Sequence, residues 1–414
     1  MKNIAVYLFF FLTFLIPNLS SATINVGIGK TDITPPIGTP SAGYTDRKGI
    51  GMQGIHDPLL AIALFIDNGV KQIVLCSVDH LGFTYEMTQD IVQQIHSTPQ
   101  LEQCEIYISS SHTHSGGGAY LNIPLLGQSL AGTYNADIAN FYVIRTVEAI
   151  IQASQNQSPS KIGIGYGSAG NLSKYRGLWP TNISPLTDVA VLKFTKLDNT
   201  PFAVLFNYAV HPTLLKSQNL LFSSDFVGYA RDHLQSLLGS NVQPIYFNGA
   251  QGDIIPVVFN EEDRFASCAY LGRSLAEAVQ KIWNEVETQD TLDIKTQREQ
   301  YAFKPLATPF GMNLPIDQYK SEMNLIILNQ MHAFITIPGE LSSIYDQRLK
   351  EIGKGLGYQH VSIFGLTNDA HGYIILPEAW EHKTFESRLS FGGKNYGELT
   401  KNRAENLLKS NISN

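Results

Sequence analysis

The sequence predicts an α/β protein built from mixed β-sheets flanked by helices. Three observations carry this. Short apolar runs of strand length recur along the whole chain, amphipathic segments with helical spacing alternate with them, and several neighbouring strands follow one another without a crossover helix. The first run is Ile24–Ile28, followed by the turn Thr34-Pro35-Pro36-Ile37-Gly38. Leu60–Ile66 and Gln72–Val78 flank Asp67-Asn68-Gly69, a hairpin turn signal. Thr84–His96 has helical spacing and Glu105–Ser109 reads as a strand. Ala136–Gln155 is a long amphipathic helix with Val143, Ile144, Val147, Ile150 and Ile151 near one face. Strands follow at Lys161–Tyr166, Val189–Phe194 and Ala203–Ala209, and again at Leu292–Tyr301 and His332–Ile337. Helices are expected at Val227–Leu238, Asp263–Val286 and Ser342–Leu356, while Pro305–Pro315 has neither periodicity and reads as a surface excursion or lid. With no repeat and no Pro/Ser linker, residues 23–414 are expected to form one domain.

The chain has 414 residues, 43% of them hydrophobic and only 16% charged, with a net charge of −7. That length buries a sizeable core, and an acidic balance without basic runs argues against nucleic acid as a partner. Residues 1–22 read as a secretory signal peptide: Lys2, an apolar run from Ile4 to Ile16, then Ser20-Ser21-Ala22, with cleavage expected after Ala22. The run is shorter than the ~20 residues that span a bilayer, and no later segment reads as a transmembrane helix. The expectation is therefore a secreted or periplasmic protein. Cys76, Cys104 and Cys268 allow at most one disulfide, and no CxxC spacing suggests a metal knuckle.

The chemistry-bearing residues gather where apolar runs end. His112 and His114 stand two apart after a strand, an alternation that places both side chains on one face, and Gly116-Gly117-Gly118 follows. Two imidazoles presented beside bare backbone make half of a zinc site. Val210-His211-Pro212 puts another histidine at a strand end, where catalytic residues of α/β proteins collect. Taken singly, each histidine is equally well a satisfied core residue. A third ligand beside two histidines is often a carboxylate, and Pro338-Gly339-Glu340 supplies one, although an acidic residue also suits the first turn of a helix.

Seven short segments occur in one order: Gly27-Ile28-Gly29-Lys30-Thr31-Asp32-Ile33-Thr34-Pro35-Pro36, Ser111-His112-Thr113-His114-Ser115-Gly116, Val210-His211-Pro212-Thr213, Ser223-Ser224-Asp225, Gly252-Asp253, Pro338-Gly339-Glu340 and Gly372-Tyr373. This series resembles the neutral, non-lysosomal ceramidase family over roughly residues 24–390. The resemblance implies the family's catalytic-domain fold and a zinc-dependent amidase acting on N-acylsphingosines. It implies His112, His211, Glu340 and Tyr373 as ligands of one Zn2+, His114 as a neighbour that assists proton transfer or holds the substrate, and Arg176 as a substrate contact. Tyr373 is also a candidate oxyanion donor. Asp253 and Asp79 are placed to orient ligating imidazoles. The implied partner is a small-molecule or lipid amide, a substrate that also allows peripheral contact with a membrane.

Two positions depart from the family pattern. Where the family has Gly-Asp-Val-Ser-Pro, this chain has Gly252-Asp253-Ile254-Ile255-Pro256, and a further family tyrosine falls on Phe385. Both changes remove hydroxyls from the region where a ceramide head group is held, and a site built around hydroxyls discriminates strongly by them. The expectation is an amide hydrolase working by metal-activated water, on ceramide or a related N-acyl amine. The alternatives are an ester-cleaving zinc hydrolase of the same fold and a silent ligand-binding relative. The length of the chain suggests the catalytic domain without the family's C-terminal β-sandwich.

Overall fold

The strands alternate between two apolar faces, and that alternation sets the layers. The computed structural model describes residues 23–177 and 186–411; the expected signal peptide, residues 1–22, lies outside the described residues. The principal elements of the first half are β1 (Asn25–Asp32), β2 (Leu60–Asp67), β3 (Gln72–Val78), α1 (Tyr85–His96), β4 (Glu105–Ser110), α2 (Ala136–Gln155), β5 (Ser158–Ser168), β6 (Asp188–Lys196) and β7 (Pro201–Tyr208). The second half adds α3 (Phe226–Leu238), β8 (Gln243–Asn248), α4 (Arg264–Glu285), β9 (Ile294–Phe303), β10 (Tyr319–Leu328), β11 (His332–Ile337), α5 (Ser343–Gly355), β12 (His360–Gly365) and α6 (Tyr396–Ser410).

Eight strands form one mixed sheet in the order β8-β7-β6-β5-β1-β2-β3-β4, and a second sheet runs β9-β10-β11-β12. On β2, Ala61, Ala63 and Phe65 pack under the helices, whereas Ile62, Leu64 and Ile66 face the second sheet. The same division holds on β7, where Val204, Phe206 and Tyr208 turn to α3 and α4 while Ala203 and Leu205 turn the other way. Phe334 and Phe364 of the second sheet meet that inner face, and Ile335 and Ile363 turn outward to α5 and α6. The fold is thus two sheets packed face to face with helices on both outer faces, as the sequence predicts. Strands buried on both sides read as continuous apolar runs, which is why they were legible.

The helix and strand bounds agree with expectation to within a few residues, but four of these elements, β8, β10, β12 and α6, were not among those expected from the sequence. β10 carries Lys320, Glu322 and Asn324, which break the apolar pattern; Glu322 is buried against Asn324 and Asn368 and pairs with Arg298. The polar C-terminal stretch is the helix α6, which buries Ala404, Leu407 and Leu408 along one narrow stripe. Residues 304–318 form the irregular excursion predicted around Pro305–Pro315, but Thr308 and Leu314 are buried in it. All three cysteines are free and buried.

β1 lies so close under α2 that only glycine fits at two positions. A Cβ on Gly29 would stand 1.9 Å from the Ala149 carbonyl oxygen, and one on Gly27 the same distance from that of Ala153. Gly29→Ala is therefore expected to lower the unfolding free energy by about 1–3 kcal/mol, the usual cost of overpacking, as read by chemical denaturation. An unchanged midpoint and slope would show that the helix slides away at no cost.

Candidate metal centre and active site

The site forms where the two edges of the large sheet meet. β4 and β8 stand at opposite ends of the strand order, yet the sheet curls until they are neighbours. The seam is closed by side chains: the Ser77 hydroxyl donates to the Tyr246 carbonyl at 2.6 Å, and the Asn248 amide nitrogen donates to the carbonyls of Ser111 at 3.0 Å and Val210 at 3.2 Å. Ser111 and Val210 are the residues immediately before His112 and His211. One carboxamide therefore ties both histidine loops together. β12 lies against the seam, its Gly365 carbonyl accepting from Ser109 and its Ile363 carbonyl from Asn207, each at 3.0 Å.

His112 and His114 do converge, though for a reason other than strand alternation. β4 ends at Ser110, and His112 takes a left-handed backbone conformation with φ 70°. That kink, held by the His112 amide donating to the His80 carbonyl at 2.9 Å, turns the ring inward. The two rings lie 4.9 Å apart, and the His112 and His211 rings 5.0 Å apart. Ring nitrogens of His112, His114 and His211 all lie within 4.8 Å of one another. The Glu340 carboxylate joins them, one oxygen standing 2.9 Å from His211 Nε2 and 3.3 Å from His112 Nε2. Tyr373 Oη is 3.4 Å from His211 Nε2 and 3.3 Å from an Arg176 nitrogen. Glu340 and Tyr373 are brought side by side by the short parallel pairing of Glu340–Leu341 with Tyr373–Ile374.

The donor set fits a divalent cation. His112 Nδ1 lies 2.6 Å from the Leu81 carbonyl and His211 Nδ1 3.0 Å from the Ile254 carbonyl. A carbonyl only accepts, so each Nδ1 donates to it, and each Nε2 is left facing the Glu340 carboxylate. Two imidazole nitrogens and a carboxylate oxygen, each fixed from behind, thus converge on one buried point as the ligands of a cation do. Histidine nitrogens with a carboxylate oxygen are the chemistry that zinc takes. Burial opposes ionisation of Glu340, but the adjoining His112 and His211 hold its carboxyl well below the usual range.

His114 differs from the other two imidazoles. Its Nδ1 is buried and has no hydrogen-bond partner among the described residues. Its ring stacks at a tilt on Tyr44, and its carbonyl is anchored by Arg47. Burial first, then the neighbouring His112 and His211, push it well below the ordinary histidine value. Burial, reinforced by Glu340 and opposed by Arg176, keeps the Tyr373 phenol protonated far above neutral pH. Arg176 is fixed by Glu386 at 2.7 Å and the Gly252 carbonyl at 2.6 Å, so it approaches Tyr373 in one orientation.

Neither aspartate named from the sequence orients an imidazole. Asp253 accepts from the Ser342 hydroxyl and from the Ser343 amide at 2.8 Å, fastening the start of α5. Asp79 is paired with Arg231 through both oxygens, at 3.0 and 2.6 Å. Backbone carbonyls do the orienting instead, which no side-chain motif announces. Asn248 was also missed, because its role depends on a seam between strands distant in the sequence order.

A cleft of about 400 Å³ opens over these groups, with Tyr44, Ile255 and Phe385 in its wall beside His112, Glu340 and Tyr373. On the other side of His112 and Glu340 lies an apolar recess of about 80 Å³ lined by Leu81, Tyr120, Leu126, Leu314 and Phe391. The two substituted positions, Ile255 and Phe385, thus do stand in the cleft.

Fold and site together define an α/β protein with a buried histidine–carboxylate cluster able to hold a metal ion. Residues 24–248 match the neutral/alkaline non-lysosomal ceramidase N-terminal model, and the chain belongs to that family. It is 24% identical to neutral ceramidase of Drosophila melanogaster over 335 residues, covering 66% of this chain and 46% of that protein. It is 26% identical to neutral ceramidase B of Dictyostelium discoideum over 227 residues, covering 50% of this chain and 31% of that protein. The chain thus matches less than half the length of these relatives. The fold superposes on the crystal structure of neutral ceramidase from Pseudomonas aeruginosa with a TM-score of 0.84 at 16% identity, covering 95% of this chain and 75% of that one.

Asn248→Ala is expected to cost about 1–3 kcal/mol, the usual penalty for stranding buried carbonyls, and to weaken zinc binding in a metal titration. Asp253→Ala is expected to lose a similar amount of stability with zinc stoichiometry unchanged. Loss of metal from the second variant alone would return Asp253 to a ligand-orienting role.

Proposed function

We propose that this chain is a zinc-dependent hydrolase of the ceramidase type that cleaves an N-acyl amine, with export directed by residues 1–22. The observation that carries the reading is the convergence of His112 Nε2, His211 Nε2 and the Glu340 carboxylate at the floor of a cleft, with a protonated Tyr373 beside them. His112, His211, Glu340 and Tyr373 hold the ion in this reading. Zinc supplies Lewis-acid polarisation of the scissile carbonyl and acidification of water.

The remaining steps belong to the protein. His114, neutral at pH 7 and unlocked at Nδ1, accepts a proton from the attacking water and returns it to the leaving amine. Tyr373 donates its hydroxyl proton toward the oxygen on which charge develops, and Arg176 beside it strengthens that donor. The apolar recess next to His112 takes the acyl side, while the larger cleft takes the amine side. With Ile255 where the family pattern has serine, no hydroxyl nucleophile stands at that position, in keeping with attack by water. The same replacement, with Phe385 in the cleft wall, favours an amide other than ceramide.

Metal analysis of the purified protein beside His112→Ala, with a panel of N-acyl amines that includes ceramide, tests the reading. Near-stoichiometric zinc in the wild type and its loss in the variant are expected, with turnover lost in parallel. Zinc retained unchanged in the variant would sink the ligand assignment, and zinc bound without turnover of any amide or ester would leave a ligand-binding protein. His114→Gln is expected to keep its zinc but to lower kcat by about 10²–10⁴-fold, the span of general acid–base catalysis.

A further inference from the structure

We propose that the amine-side portion of the substrate carries an anionic group, a carboxylate, sulfonate or phosphate, held in the cleft by Arg264 together with Lys174 and Lys216. This deepens the amide-hydrolase reading and rests on it for the position of the scissile bond. The argument begins with charge. The chain as a whole carries −7, yet the cleft wall reverses the sign: Lys174, Arg176, Lys216 and Arg264 line it against only Glu261 and Glu340.

Only part of that excess is neutralised, which leaves Lys174 and Lys216 in surplus. Glu340 faces the histidines, and Arg176 is matched by Glu386. Glu261 pairs with one arm of Arg264, but Arg264 Nη1 is buried with no hydrogen-bond partner among the described residues. A buried guanidinium nitrogen without an acceptor is costly and needs an explanation. Its position adds to the cost, since Arg264 opens α4, where the helix dipole disfavours a cation. An incoming anion resolves both, for guanidinium and carboxylate form the strongest class of charge-assisted hydrogen bond.

The lysines share this environment. Neither Lys174 nor Lys216 has an ion-pair partner among the described residues, and both are exposed at the cleft. Partial burial lowers the Lys216 amine from its ordinary value, and Arg264 lowers it further, so the two positive groups already feel one another. The wall also holds Ile255 and Phe385 in place of hydroxyl-bearing side chains. A neutral polyhydroxy head group therefore finds few uncharged partners here, whereas an anion finds three cations with spare donors. The apolar recess on the far side of His112 lies away from these charges and suits the acyl chain.

The experiment uses a matched pair, N-hexanoyl-β-alanine and N-hexanoyl-propylamine, which differ in the carboxylate. kcat/KM is measured on the zinc-loaded wild type, and binding is measured separately by titration calorimetry on the zinc-free protein. The anionic compound is expected to be favoured at least tenfold in both measurements, the preference shrinking as salt is raised. Arg264→Gln is expected to reduce that ratio about tenfold, and the exposed pair Lys174→Gln and Lys216→Gln to reduce it in the same direction without a folding penalty. Equal binding of the two compounds, or a ratio untouched by both sets of substitutions, overturns the proposal. Selective binding with no hydrolysis of either compound supports anion recognition and defeats the amide-hydrolase reading. Hydrolysis without selectivity does the reverse. Capture by phosphatidylglycerol vesicles through the same three residues, with no preference within the soluble pair, also overturns it in favour of a membrane contact.

Discussion

The seam between β4 and β8 is the constraint on which the site depends. A mixed sheet of eight strands has two edges, each with unpaired backbone groups that must be covered. Here the edge of β4 is covered by residues 366–368, which follow β12, and the Asn248 carboxamide closes the junction with β8 by reaching Ser111 and Val210. Because those residues precede His112 and His211, satisfying the backbone and positioning the imidazoles are one event. β12 then lies along the seam and carries the chain on towards Tyr373, while the neighbouring β11 ends just before Glu340. The functional groups come from four strand ends, yet they share a single origin in the curl of the sheet.

Burial gives those groups their chemistry. In water, two imidazoles and a carboxylate would not be held to one point. Here His112 and His211 are locked by backbone carbonyls, and Glu340 is fixed by the pairing of its own short strand, so none can turn aside. The same low-dielectric setting keeps Tyr373 protonated and His114 neutral. One environment thus sets a protonated phenol and an uncharged imidazole beside a cluster able to hold a cation.

Most of this layout was legible in the sequence because strands buried on both faces read as apolar runs and site residues follow their ends. Ile62 and Ala63 serve opposite faces, and both had to be apolar, so β2 could not be missed. β10 was missed because Glu322 pairs with Arg298 across the sheet, a compensation visible only after pairing. His112 and His114 were grouped correctly, but the cause is a left-handed turn at His112 rather than pleat alternation. Asn248 gave no signal, since an asparagine at a strand end is also an ordinary turn residue. Asp79 and Asp253 gave a false one: both are buried carboxylates near the site, but Arg231 and the start of α5 claim them.

Ile255 and Phe385 carry a different kind of information from the ligands. The histidine–carboxylate cluster follows the pattern that the family resemblance implies. The wall above it does not: two hydroxyls are absent, Phe385 lies over Arg176 with its ring centre 4.7 Å from the guanidinium carbon, and three further cations line the space. A metal-ligand set tolerates little change, because each ligand must reach a fixed point. A cleft wall has no such requirement and can be rebuilt around another substrate without disturbing the reacting centre. The combination of a floor able to hold a metal ion and a positively charged wall therefore separates the centre, where geometry is fixed, from the surface around it, which is free to select a ligand.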